Sequence, residues 1–354
     1  MSRASTLSDV AQRAGVHLAT ASRALNPASR HMVSGETSER VLAAARELGY
    51  VPNGIARGLR TSRSGTVGVI IPDLMNPLFP PIVRGIEDVL AGEGYTALLA
   101  NTDNDAARER TQFEALVTRR VDGFIMATAR REHPLLDEAA RRGLKVVLVY
   151  RGVDRADFST VTADDSLGIA QATEHLIGLG HRRIGHLAGP QALSTGSTRA
   201  RSFRETLRSH QLDTPPERIV VCDAYTEAAG AAGTAELLDR DLGLTAIVAA
   251  NDLLALGACD VLRERGVACP EQISVTGFND MPFADKFHPA LTTVRVPHYD
   301  LGAEAGRLLL EQLTQPAHLT KHLSLTPTFI VRASTAVPPG GGPGAAVRTA
   351  ASKR

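Results

Sequence analysis

Residues 6–26 read TLSDVAQRAGVHLATASRALN, and the order of these side chains predicts two short helices joined by a tight turn. Thr6 with Asp9 three residues on is an N-cap pattern, and Leu7, Val10 and Ala11 give the first helix its apolar face. Ala14-Gly15 ends that helix, because glycine adopts the turn conformation that side chains resist. A second helix follows from about His17 to Leu25 and stops at Asn26-Pro27. A third begins at Ser34, places Val41, Leu42, Ala45 and Leu48 on one face, and closes at Gly49. Helix, tight turn and second short helix is the helix-turn-helix plan, in which one helix crosses a DNA backbone and the next enters the major groove. The pattern alone leaves open a three-helix module for protein contact.

Charge leans toward the first reading. Residues 1–64 hold nine Arg, no Lys and four acids, about +5, while the other 290 of the 354 residues carry 30 basic and 34 acidic side chains, about −4. A basic head on a mildly acidic body suits contact with a polyanion. In the second helix, Arg23 can donate two hydrogen bonds to guanine, and the hydroxyls of Thr20 and Ser22 with Asn26 suit phosphates.

Beyond Pro52, residues 53–60 (NGIARGLR) are too few and too glycine-rich for an independent helix, and residues 61–65 read as linker. From Thr66 the period changes. Apolar runs at Thr66–Ile71, Tyr95–Ala100, Asp122–Ala127, Leu144–Tyr150, Arg183–Ala188, Arg218–Cys222, Thr245–Ala250 and Ile273–Gly277 alternate with helical stretches such as Pro81–Gly92 and Arg108–Arg120. Such alternation implies parallel sheets covered on both faces, and its length implies two of them. The expected fold is therefore a small all-α helix-turn-helix headpiece plus an α/β body of two doubly wound parallel-sheet lobes. The expected domains are a headpiece over 1–52, a hinge and linker over 53–64, and a body over 65–335. Lobe 1 takes 65–162 and 294–322, and lobe 2 takes 163–293 and 323–335. The Pro/Gly-rich stretch 336–354 should be a disordered tail.

The motifs of common enzyme chemistry do not occur: there is no GxxxxGK[ST], HExxH or GxSxG, and Gly178-Leu-Gly180 precedes a strand and lacks the third glycine of a dinucleotide loop. His181 and His186 have no thiolate or carboxylate cluster beside them, and Cys222, Cys259 and Cys269 form no CxxC pair, so neither a metal site nor a cofactor is expected. No apolar leader follows Met1 and no run of 18 apolar residues occurs, so the expectation is a cytoplasmic protein with no membrane role.

The residues carry a further signal. Thr6-Leu-Ser-Asp-Val-Ala-Gln-Arg-Ala-Gly-Val16, Thr20-Ala-Ser-Arg23, Leu25-Asn26, Val33-Ser34 and Leu48-Gly-Tyr-Val-Pro-Asn53 resemble the headpiece signature of the lactose/galactose-repressor (LacI/GalR) family. The similarity runs on to about residue 335, through Asp73 with Asn76-Pro77, Gly85-Ile-Glu87, Leu187-Ala-Gly-Pro190, Asn251-Asp252, Gly277-Phe278 and Leu291-Thr-Thr293. The resemblance implies a periplasmic-binding-protein-like body and a transcriptional repressor that binds a palindromic operator as a homodimer under control of a small-molecule effector. It assigns base reading to Leu18, Ala19 and Arg23, with His17 beside them, and phosphate contact to Thr6, Thr20, Ser22, Asn26, Ser34 and Asn53. Leu59 takes the position of a hinge-helix wedge in the minor groove and Ala56 the small contact one turn earlier. His17 replaces a usual serine, and Leu18-Ala19 can pack on a thymine methyl without reading a hydrogen-bond pattern.

In the body the resemblance offers Asp164, Thr195, Arg199, Asn251 and Asn279 as polar effector contacts, with Phe79 and Tyr225 as apolar faces. Asn279 and Tyr150 stand where many relatives have acids, which argues against a plain hexose and leaves sugar-like, polyol and nucleoside ligands. The helix Pro81–Gly92 and residues near 255–285 would form the two-fold interface. Two rival readings, a two-lobe solute receptor without a DNA role and a sugar-modifying enzyme, lack respectively a secretory leader and catalytic residues.

Overall fold

A computed structural model describes residues 5–26, 29–50, 63–315 and 319–339. The chain divides into two compact units, Met1–Gly65 and Thr66–Arg354.

The first unit is built of α1 (Leu7–Ala14), α2 (Leu18–Leu25) and α3 (Gly35–Glu47), with one 3₁₀ turn at Arg30–Met32. Thr6 and Asp9 form a full capping box on α1. Gly15 ends α1 with φ of 62°, and its N–H reaches back to Ala11 and Gln12 carbonyls, which a Cβ would strain. Val10, Ala21, Ala24 and Val41 are fully buried between the three helices. Alanine at the crossings lets the helices approach closely, while the valines supply the apolar bulk.

The second unit holds two sheets. The first has strands β1 (Thr66–Ile71), β2 (Thr96–Asn101), β3 (Gly123–Met126), β4 (Val146–Val149), β5 (Ser159–Ala163) and β11 (His322–Leu325), all parallel, in the order β11-β5-β4-β3-β1-β2. Two-residue periodicity is visible in its packing. Val67, Val69, Ile71, Ile125, Val147 and Val149 face one cluster, with α4 (Phe79–Gly92) and α11 (His298–Thr314) over them. Ile70, Phe124, Met126, Val146 and Leu148 face the other, with α5 (Ala106–Thr118) and α6 (Pro134–Arg141) over them. Helices α4 and α11 touch backbone to backbone: a Cβ on Gly302 would lie 1.9 Å from the Ile82 carbonyl oxygen.

The second sheet has β6 (Ile184–Ala188), β7 (Ile219–Val221), β8 (Ala246–Ala249) and β9 (Ser274–Thr276) in the parallel order β7-β6-β8-β9. It is covered by α7 (Asp165–Gly178) and α8 (Ser194–Ser209) on one face and by α9 (Glu227–Asp239) and α10 (Asp252–Glu264) on the other. The chain passes between lobes after β5, before α11 and after β11. The last two passages pair as an antiparallel ribbon, β10 (Thr293–Arg295) with β12 (Thr328–Ile330). The two-lobe parallel-sheet body is thus as expected, with one shift. Strand β11 extends the first sheet beside β5, so the third passage falls after Leu325 and not at residue 322.

One apolar cluster is continuous across both lobes, from Val69 and Ile86 in the first to Leu176 and Phe203 in the second. At the C-terminal end, Ala336 still belongs to the body: its carbonyl meets His181 Nε2 at 2.8 Å and its N–H donates to Ser274 Oγ at 3.0 Å. The expected tail therefore starts later than residue 336, and residues 340–354 lie outside the described residues.

Candidate functional site

The headpiece presents one face of α2. Ala21 and Ala24 are buried, so Leu18, Ala19, Ser22 and Arg23, which share the other side at i, i+1, i+4 and i+5, turn outward. Leu18 is 47% exposed, and gives the kind of apolar surface that a thymine methyl covers. Among the described residues the headpiece ion pairs join Arg13 to Glu47 at 2.8 Å and Arg40 to Glu36 at 3.9 Å, and neither uses Arg23. His17 caps α2, its Nδ1 accepting the Ala19 N–H at 3.3 Å, so replacing serine at this position keeps the cap. Thr6 and Ser34 cap α1 and α3. The Thr6 hydroxyl already donates to Asp9 at 2.7 Å, so a phosphate there would compete with that carboxylate. Thr20, Ser22 and Asn26 are half-buried at the rim. Asn53, Ala56 and Leu59 lie outside the described residues.

In the body a cavity of about 270 Å³ opens between the lobes, at the small end of the usual range for ligand pockets. Asp73, Asn76, Phe79 and Arg151 come from the first lobe, and Leu193, Asp223 and Tyr225 from the second. Phe79 and Tyr225, the two expected apolar faces, both line it, one from each lobe. Burial pushes the Tyr225 phenol up to about 12, and its hydroxyl donates to the fully buried Thr195 Oγ1 at 3.2 Å.

Arg199 is not in that wall. It is fully buried, and its Nε and Nη2 donate to Asp165 Oδ1 at 2.8 and 2.6 Å, while Nη1 donates to the Ala250 carbonyl at 2.7 Å. The guanidinium lies 3.8 Å from the centroid of the Phe278 ring. Burial alone would push Arg199 down, but the Asp165 carboxylate outweighs it and holds the cation. Tyr150 adds the next layer. Its hydroxyl donates to Asn279 Oδ1 at 3.1 Å and its ring meets Phe79 edge-on at 6.0 Å. Both Tyr150 (φ 68°) and Asn279 (φ 113°) hold left-handed backbone, a strain of about 1–3 kcal/mol each that the surrounding packing must offset. Asn251 caps α10, its Oδ1 accepting the Leu254 N–H at 2.9 Å.

Asp164 stands apart from this group. It caps α7 through Leu167 N–H at 2.9 Å and lines a separate depression beside Asp154 and His322. The carboxylate that meets Arg199 belongs to the next residue, Asp165, which the sequence reading passed over. Arg151, Asp73 and Asp223 were also missed. Arg151 directly follows the apolar run ending at Tyr150, a signal open to use because the ends of parallel strands carry the ligand sites of such sheets. His181 bonds Thr245 and Ala336, and His186 bonds the Val248 carbonyl at 2.7 Å while stacking on Phe203.

A helix-turn-helix with an exposed recognition face, in one chain with a two-lobed body that encloses a small-molecule cavity, defines a ligand-controlled DNA-binding regulator. Comparison with known proteins narrows the class. Residues 6–53 match the family described as bacterial regulatory proteins, lacI family, and residues 173–335 match the periplasmic binding protein-like domain. The ribose operon repressor of Halalkalibacterium halodurans is 34% identical over 330 residues, covering 93% of this chain and 97% of that protein. The transcriptional repressor CytR of Escherichia coli K12 is 34% identical over 334 residues, covering 94% and 96%. The Lac repressor dimer bound to operator and the anti-inducer ONPF superposes with a TM-score of 0.83 at 27% identity, covering 94% of this chain and 100% of that one. The chain belongs to the LacI family of bacterial regulatory proteins, and it is a DNA-binding transcriptional repressor. No helix among the described residues is long and apolar enough to cross a membrane.

Proposed function

We propose that this repressor acts in the cytoplasm as a homodimer on a palindromic operator, and that a small hydroxylated metabolite in the interlobe cavity sets its grip. In this reading Leu18, Ala19 and Arg23 read bases, with His17 fixing the start of their helix. Thr6, Thr20, Ser22, Asn26, Ser34 and Asn53 position the head on phosphates, and Ala56 and Leu59 engage the minor groove. The body takes no catalytic step.

One observation carries the allosteric half. The cavity wall is shared, Phe79 from one lobe and Tyr225 from the other, so a ligand touching both has different affinity for different lobe arrangements. Only such a difference can shift a conformational equilibrium. The carboxylates of Asp73 and Asp223 and the amide of Asn76 accept or donate to hydroxyls, which fits a sugar or nucleoside. The relatives named above include a ribose operon repressor, which supports the same class.

The test is operator release by the full-length protein, screened against sugars, polyols and nucleosides. A compound that alters operator affinity in the wild type should lose that effect in Phe79→Ala and Tyr225→Ala, with operator binding in its absence unchanged. Retention of the effect in both variants would place the effector elsewhere.

A further inference from the structure

Arg151 is 6% exposed, yet its Nε has no hydrogen-bond partner, and among the described residues its guanidinium joins no ion pair. Burial pushes Arg151 below its ordinary value, and the side chains that act on it most after that are Tyr150, Tyr225, Arg199 and Arg130, none of them a carboxylate. A guanidinium stays protonated in proteins, and burying one without an anion is costly. Arg199, its neighbour, shows the usual remedy, a buried carboxylate at 2.6 Å. Arg151 has none, and it lines the interlobe cavity.

Two further features of the same wall point one way. Arg130 adds a second cation to the wall. Leu193 of that wall is the N-cap of helix α8 and gives its first N–H groups no side-chain cap, so the positive end of a 16-residue helix is left for another acceptor. Neither acid of the wall pairs with Arg151: Asp73 Oδ1 accepts the Met75 N–H at 2.8 Å, and among the described residues neither Asp73 nor Asp223 forms an ion pair with it.

Resting on the reading of this cavity as the effector site, we infer that the effector carries an oxyanion, a phosphate ester or a carboxylate, which pairs with Arg151, while its hydroxyls meet Asp73 and Asp223. The ligand supplies the counter-charge that the fold withholds. The empty cleft is thereby penalised and the filled one favoured. A bidentate guanidinium contact also selects the charged metabolite over its neutral parent.

The test uses full-length protein and two sets of probes. In the first, inorganic phosphate is compared with chloride at equal ionic strength. Phosphate should raise the thermal midpoint of the wild type more than that of Arg151→Gln, whose midpoint in chloride should match or exceed the wild type's. An equal phosphate shift in the two proteins, or a lower chloride midpoint for Arg151→Gln, would overturn the inference, the second by making Arg151 a structural support. In the second, ribose, ribonate and ribose 5-phosphate are titrated calorimetrically. A charged member should bind about tenfold tighter than ribose in the wild type and near parity in Arg151→Gln. Which charged member binds tells ester from carboxylate. Ribose binding as tightly as both, and still altering operator affinity, would overturn the oxyanion while leaving the cavity's regulatory role intact.

Discussion

Arg23 projects from the exposed side of α2, one turn past Ala19 and next to Ser22, with buried alanines behind it. A single guanidinium so placed can read one guanine. Arg23→Ala should cost about 1–3 kcal/mol on the cognate operator and relax preference at one base pair, measured by binding selection from randomised duplexes. Unchanged preference would remove Arg23 from the reading set. Arg199 makes the contrasting case of a cation that serves the fold. Asp165→Ala would leave it buried without its carboxylate, and unfolding in urea should show a loss of about 3–5 kcal/mol. A wild-type midpoint would contradict the assigned pairing. The difference between the two arginines was not legible in the sequence, because Arg199, Arg201 and Arg204 share one run, and only packing shows that the first is buried while Arg201 is exposed. Asp165 was overlooked for a related reason. Two adjacent acids differ by about 100° around a helix start, and position alone does not say which one meets the arginine.

At the level of elements, apolar runs located eight of the parallel strands to within a residue or two, since short unbroken runs such as VVLV and AIVA suit a sheet covered on both faces. Strands β5 (STVTA), β10 (TVR), β11 (HLSL) and β12 (TFI) carry too few apolar residues to stand out. They form by pairing with neighbours already in place, and they are the strands that flank or make the lobe passages. That is why the third passage was misplaced by three residues. Helix contact is equally tertiary. Gly302 looks like a weak point in α11, yet it is where the backbone of α4 touches. Gly302→Ala should therefore destabilise by about 1–3 kcal/mol or more, against the gain expected for alanine in a free helix, as read by thermal unfolding. A stabilised variant would mean that the two helices have room to part.

Across the whole molecule, buried ionisable groups set the response to pH. Burial pushes His186 and His298 from 6.5 down to about 4, so both are neutral in the folded chain. The unfolded chain takes up their protons near pH 6.5, and the stability they contribute above that pH is lost as the pH falls toward 4. Asp252 acts in the opposite sense. Burial raises it to about 7, against hydrogen bonds from Thr293 and Met281, so its folded form keeps a proton that the unfolded chain releases. Lowering the pH below about 6 therefore weakens the fold through His186 and His298, and Asp252 offsets part of that loss. Asp252→Asn should remove the opposing contribution and steepen the loss of stability with falling pH. Denaturant titrations across that range would show it, and a slope unchanged by the substitution would contradict the balance. The central claim concerns the two units acting together, and selection of genomic fragments by purified full-length protein, with and without cavity ligands, tests it most directly. The account predicts a palindromic site bound at least about 10³-fold over random duplex, with that ratio moved by a ligand of the cleft. Equal binding to every duplex under all ligand conditions would contradict it.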